Sequence, residues 1–287
     1  MAPGSRGLSR IDGWRLRVSH ETRFDYGAPA RASYNELRLI PRTEVRQTAL
    51  EARVVTVPAA PQYSYIDYWG THVVAFNVDP NHDALSITGS ALVDTQPADE
   101  PEDCSWSDVG DASLTMADYL SHNLYTNPGP ELALLSAQLR AARPLETAHR
   151  IVTAAHDSLH YARGITTVHT SANEAFSDGV GVCQDFAHLC LSLARTAGLP
   201  SRYVSGYFHP EEDATIGEEF TAQSHAWVEF WTGAWWGYDP TNDCPVGSRH
   251  IAVGRGRDYA DVPPVKGIYA GNAENSMRVV VRMTRTQ

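Results

Sequence analysis

The sequence predicts an α+β protein. An all-β, sandwich-like module occupies residues 12–96, an acidic linker 97–111, and a mixed helix-and-strand domain 112–287. Three observations carry this reading. Up to residue 95 the apolar residues come in short, alternating runs broken by Pro and Gly, the pattern of strands. The linker sets Pro97 and Pro101 among Asp99, Glu100, Glu102, Asp103 and Asp108, with little that packs. Beyond it the apolar spacing changes to threes and fours, the period of a helix.

In chain order, residues 14–18 and 35–40 alternate, and 50–57 alternate loosely. Residues 65–76 form a hairpin turning near Gly70, and 85–93 supply a further strand. A helix starts after Pro130 and stops before Pro144. Leu145, Ala148, Ile151, Val152, Ala155 and Leu159 then mark the apolar stripe of a second. Phe186, Leu189, Cys190, Leu193, Ala194 and Ala197 mark a third, widened by Ala187 and Leu191, which makes it central and buried. Gly198-Leu199-Pro200 stops it.

Cys183 stands at the start of that third helix, just after Gly179-Val180-Gly181-Val182. The glycines permit a tight approach of the backbone. The unpaired amides of a helix start favour a thiolate, and they include the Cys183 amide as a donor to a developing oxyanion. Cys190, inside the stripe, is core. A metal reading of Cys183, His188 and Cys190 fails, because on a helix residues five apart face different ways.

Ser224-His225-Ala226-Trp227-Val228-Glu229-Phe230-Trp231 and Trp235-Trp236-Gly237-Tyr238-Asp239-Pro240 read as a hairpin around Thr232-Gly233-Ala234. A three-residue loop sets Asp239 opposite or diagonal to His225 on one face; a two-residue loop does not. Pro240 keeps Asp239 extended. The expected roles are nucleophile for Cys183, base for His225 and orienting acid for Asp239. His188 lies about 500° of rotation from Cys183 along its helix, and His209 sits in an acidic, solvated loop. Gln184, Trp227 and Trp236 are candidates for lining the cleft.

Composition bounds the partners. The 287 residues carry a formal charge of −11, which argues against nucleic acid and against an anionic membrane surface. No apolar run reaches the about 18 residues of a membrane helix, and residues 1–7 lead into no apolar stretch, so no signal peptide is expected. Cysteines at 104, 183, 190 and 244 do not form a disulfide framework, which makes a reducing cytoplasm the simplest setting. No metal or organic cofactor is called for. The expected partner is a peptide or protein substrate.

The three site segments, together with residues 195–206, resemble the transglutaminase-like core, a papain-like α+β fold whose Cys, His and Asp follow in that chain order. The resemblance spans about residues 150–245 and puts the triad at Cys183, His225 and Asp239. Tyr34-Asn35-Glu36-Leu37-Arg38-Leu39 and Asp67-Tyr68-Trp69-Gly70 resemble the N-terminal module joined to this core in many bacterial proteins, and residues 256–264 resemble a downstream segment of the same proteins. The calcium-binding segments and extra β domains of animal transglutaminases have no counterpart after residue 245. An indole aids the oxyanion in that group; here Tyr161, upstream of Cys183, is the candidate donor, with core packing as its alternative. The resemblance implies a cysteine amidase or peptidase working through a thioester. A transamidase, or a binding module that keeps the fold without catalysis, are the alternatives.

Overall fold

The computed structural model describes residues 13–271 and 274–287. Residues 1–7, expected to hold no signal peptide, and residue 12, the expected start of the β module, lie outside the described residues. Five strands open the chain: β1 (Arg15–Leu37), β2 (Gln47–Val57), β3 (Gln62–Ile66), β4 (His72–Val78) and β5 (His82–Thr95). A helical stretch follows, with α1 (Trp106–Ala112), α2 (Ala117–Leu120), α3 (Pro130–Leu139) and α4 (Pro144–Ser158). The short strand β6 (His160–Tyr161), helix α5 (Ala172–Asp178) and strand β7 (Val180–Gly181) lead into α6 (Cys183–Thr196). Strands β8 (Ser201–Phe208), β9 (Glu219–Ala222), β10 (Ser224–Trp231), β11 (Trp235–Asp239), β12 (Cys244–Pro245), β13 (His250–Gly256), β14 (Val265–Ala270) and β15 (Asn275–Arg285) complete the chain.

The fold class is α+β, as expected, but the first sheet is not confined to residues 12–96. Its main path runs β2-β5-β1-β15-β9, with β4 and β14 also pairing β1 and β3 pairing β4. β1 is 23 residues long, and its register with β5 shifts after Asp25. One strand thereby serves both halves of a curled sheet. The last strand, β15, lies beside the first half of β1, from Leu16 opposite Arg285 to Tyr26 opposite Asn275. Three strands from the expected catalytic segment thus belong to the first sheet.

The linker also carries more structure than its composition suggests. Ser105 caps α1 by accepting from the Asp108 N–H, while the Asp108 carboxylate accepts from the Ser105 N–H. Trp106 packs against the helical core beneath the Arg140 guanidinium, 3.6 Å from the ring centroid. The signal was a capping box hidden in an acidic run.

The second sheet is antiparallel, in the order β12-β11-β10-β8-β13. Phe186, Leu189 and Leu193 of α6 press on Ala226, Val228 and Phe230 of β10, and Ile151 and Leu132 close the helical side. Further along β8 and β13, Tyr207, Ile251 and Val253 meet Leu16, Val18, Val93, Val281 and Met283 of the first sheet. Gln47 stitches the two sheets, donating to the Ala252 carbonyl at 2.7 Å and accepting from its N–H at 2.9 Å. An ion-pair chain reinforces the joint: Glu229 binds Arg202 at 2.5 Å and Arg255 at 2.9 Å, and Arg255 reaches Glu44 at 2.7 Å. Burial alone would raise the Glu229 carboxyl, but the two guanidiniums outweigh it and hold it down at about 2.

Candidate active site

β7 ends at Gly181 and α6 begins two residues later at Cys183. Gly179 ends α5 in the left-handed region at φ 67°, which a side chain would strain. Gly181 is required for space, since a Cβ there would meet the Asp185 Cβ at 2.6 Å. Asp185 reaches back over the helix start: its Oδ2 accepts from the Val182 N–H and from the Thr166 hydroxyl, each at 2.8 Å. As the first residue of α6, Cys183 presents an N–H that no helical carbonyl can satisfy. Its side chain is half-buried, whereas Cys190 is fully enclosed and burial pushes that thiol well up. The sequence-based contrast between the two cysteines therefore corresponds to a difference in surroundings.

The hairpin loop is three residues long, with Trp231 opposite Trp235 and Gly233 at φ 116°. Val228 faces Tyr238, so Asp239 lies diagonal to His225 on the same face. The His225 Nε2 and the Asp239 Oδ2 are 2.6 Å apart. That bond leaves Nδ1 as the free ring nitrogen, and the Cys183 side chain acts on the same ring. Burial by itself would lower the His225 pKa. The Asp239 charge and hydrogen bond, with a further contribution from Cys183, outweigh it and raise it to about 10. Phe208 lies against the imidazole, with ring centroids 5.2 Å apart.

Asp239 has no exposed surface, yet its partners hold its carboxyl far below the usual range; burial opposes this, and His225 and then His250 overcome it. Oδ1 accepts from the Thr241 and Asn242 N–H groups at 3.0 and 3.2 Å. Oδ2 accepts from the Asn242 side-chain amide at 2.7 Å and faces the His250 Nε2 at 3.4 Å. Asn242 and His250 were not identified from the sequence. Asn242 belongs to an Asx-type turn announced by Asp239-Pro240-Thr241-Asn242. His250 has no local signal, because it arrives on β13 from elsewhere in the sheet.

Cys183 and His225 share an open cleft of about 430 Å³, bounded by Tyr161, Arg163, Phe208, residues 220–224 and Asn242. Tyr161 is held there by the parallel pairing of β6 with β7, which sets it beside Gly181. The other lining candidates go elsewhere. Trp227 is fully buried against Val204 and Ala252 on the far face of β10. Trp236 belongs to the helical core beside Phe230, with its ring 4.6 Å from that of His149. Gln184 is buried and donates to the Val168 carbonyl at 3.2 Å. Both faces of the hairpin carry indoles, so alternation could not say which of them meets solvent. His209, expected in a solvated loop, is instead buried between Trp14 and Phe220. His188 is enclosed by Tyr125 and Tyr203, and burial lowers it to about 3.

The donor atoms of Asp239, Cys244 and His250 lie within 4.8 Å of one another, a spacing that suits a metal ion. The chemistry of the set points to hydrogen bonding instead. His250 Nδ1 accepts the Gly247 N–H at 3.3 Å, which leaves the ring proton on Nε2, the atom facing Asp239. Burial, then the Asp239 charge, push the Cys244 thiol up to about 12. Among the described residues, no helix is long and apolar enough to cross a membrane.

Comparison with known proteins agrees with this architecture. Residues 134–240 match the model of the transglutaminase-like superfamily, and residues 16–94 match that of the bacterial transglutaminase-like N-terminal region. An uncharacterized protein of Mycobacterium leprae is 43% identical over 278 residues, covering 95% of this chain and 99% of its own length. An uncharacterized protein of Mycobacterium tuberculosis is 36% identical over 286 residues, covering 92% and 90%. Among solved structures, a "Putative Cysteine Protease from Cytophaga hutchinsonii" superposes with a TM-score of 0.77 at 22% identity, over 94% of this chain and 90% of that one.

Proposed function

Because the chain belongs to the transglutaminase-like superfamily and carries the bacterial N-terminal region of that family, we propose that it is a cysteine-dependent amide or peptide hydrolase. The observation that carries this reading is the 2.6 Å bond from Asp239 to His225 in the cleft that also holds Cys183. In the reactive pair the Cys183 proton passes to His225, whose ring Asp239 favours as an imidazolium. The thiolate attacks the substrate carbonyl, a C–S bond forms, and the oxygen gains the charge. The Cys183 N–H, at the positive end of α6, faces that charge, and the Tyr161 hydroxyl is a second candidate donor. His225 gives its proton to the nitrogen as the C–N bond breaks, releasing an amine and leaving a thioester. Water then attacks, His225 takes its proton, and the C–S bond breaks to yield a carboxylic acid and the resting pair. Asp239 stays ionised throughout and fixes which ring nitrogen faces the sulfur.

The open cleft, with Arg163 and Asn242 at its polar margin, admits water to the thioester and favours hydrolysis over transfer. A mixed peptide library containing glutamine, incubated with and without a tagged primary amine and read by mass spectrometry, tests this. New carboxylates with no tag, and none of either product from Cys183→Ala, are expected. Tag incorporation assigns the protein to transamidation instead; an unaltered library in both arms rejects acyl transfer.

A further inference from the structure

The cleft is bordered by an open strand edge. β9 is the last strand on the main path of the first sheet, and its pairing partner is β15. After Gln223 the same chain continues as β10, which pairs with β8 from Ser224 onward. The pairing of β10 with β11, in contrast, runs only between Val228 and Trp231. Residues 220–224 therefore line the cleft with Cys183 and His225, and on either side of Gln223 both β9 and Ser224 have a neighbouring strand on one side only among the described residues. A strand edge turns the N–H and C=O of every second residue outward, and those groups need partners. At ~3.3 Å per residue the run spans roughly 15 Å, room for about four residues of a second strand.

We propose that this edge is the substrate-backbone site: an extended peptide adds to the first sheet as a strand alongside β9, which carries its acyl carbonyl to Cys183. The N-terminal module thereby supplies half of the binding site through the sheet in which β9 ends. Main-chain hydrogen bonds give affinity independent of side-chain identity, and alternate side chains meet the cleft walls at Phe208 and Phe220. This proposal rests on the acyl-transfer reading of Cys183.

The test uses acetyl-oligoalanine chloromethyl ketones of one to four residues, with iodoacetamide as the reagent that has no peptide backbone. Alkylation of each cysteine in the full chain is followed by peptide mass spectrometry. The rate constant for Cys183 is expected to saturate with reagent and to rise with length. N-methylation of the probe is expected to lower it about fivefold at every second residue and little at those between, the signature of a ladder. A Cys183 that reacts rapidly with iodoacetamide yet ignores length and N-methylation overturns the strand-addition proposal alone. A Cys183 that reacts no faster than Cys104 and Cys244 with any of the reagents overturns the acyl-transfer reading beneath it.

Discussion

A carboxylate with no exposed surface has lost its water, and every lone pair must be replaced from the protein. Asp239 does this with two turn amides on Oδ1 and with Asn242 and His225 on Oδ2. The consequence falls on His225, which would be neutral if burial acted alone. The direction of the linkage follows from the two shifts. His225 is raised above its ordinary 6.5, so its share of stability is complete below that value and is lost as the pH climbs through about 10. Asp239 is depressed below 3.8, so its share is present above that value and disappears as the pH falls towards its folded-state value. In Asp239→Asn only Cys183 is left to oppose the burial cost, and His225 is expected to lose its proton at a much lower pH than in the native protein. Nuclear magnetic resonance of the ring nitrogens near pH 8 checks this: doubly protonated in the native protein, neutral in the variant. A native ring already neutral at that pH contradicts the account.

The nucleophile depends on an element as much as on its own side chain. Asp185 ties the start of α6 to Val182 and Thr166, and the stripe behind it anchors the helix to β10. Asp185→Ala is expected to cost ~1–2 kcal/mol of stability, read from urea unfolding, and to slow Cys183 alkylation as the helix start loosens. At this scale much was legible in the sequence. The 3.6-residue stripe from Phe186 located α6, and the odd loop around Gly233 fixed the face shared by His225 and Asp239. What escaped was orientation. Period-two alternation separates Trp227 from Ala226 and Val228 but does not reveal that the smaller residues meet the helices. Helix α1 escaped because its capping box lay in a run of charges.

Across the whole molecule the two ends of the described chain meet, with Leu16 opposite Arg285, and this long-range pairing leaves no local trace in a sequence. A chain stopped before Asn275 loses the buried Val281 and Met283, at about 1.5–3 kcal/mol each, together with the partner of β1 and β9. It is expected to lack cooperative thermal unfolding in circular dichroism; a truncated chain that melts like the native one contradicts this. The bacterial N-terminal region and the core are thus bound together by the last strand as well as by the Glu229 ion pairs. Between β9 and His225 lie only Gln223 and Ser224. Substitutions that repack a remote corner of the β layer can therefore nudge the imidazole, so evolution has a dial for tempo and selectivity that never edits a reacting atom.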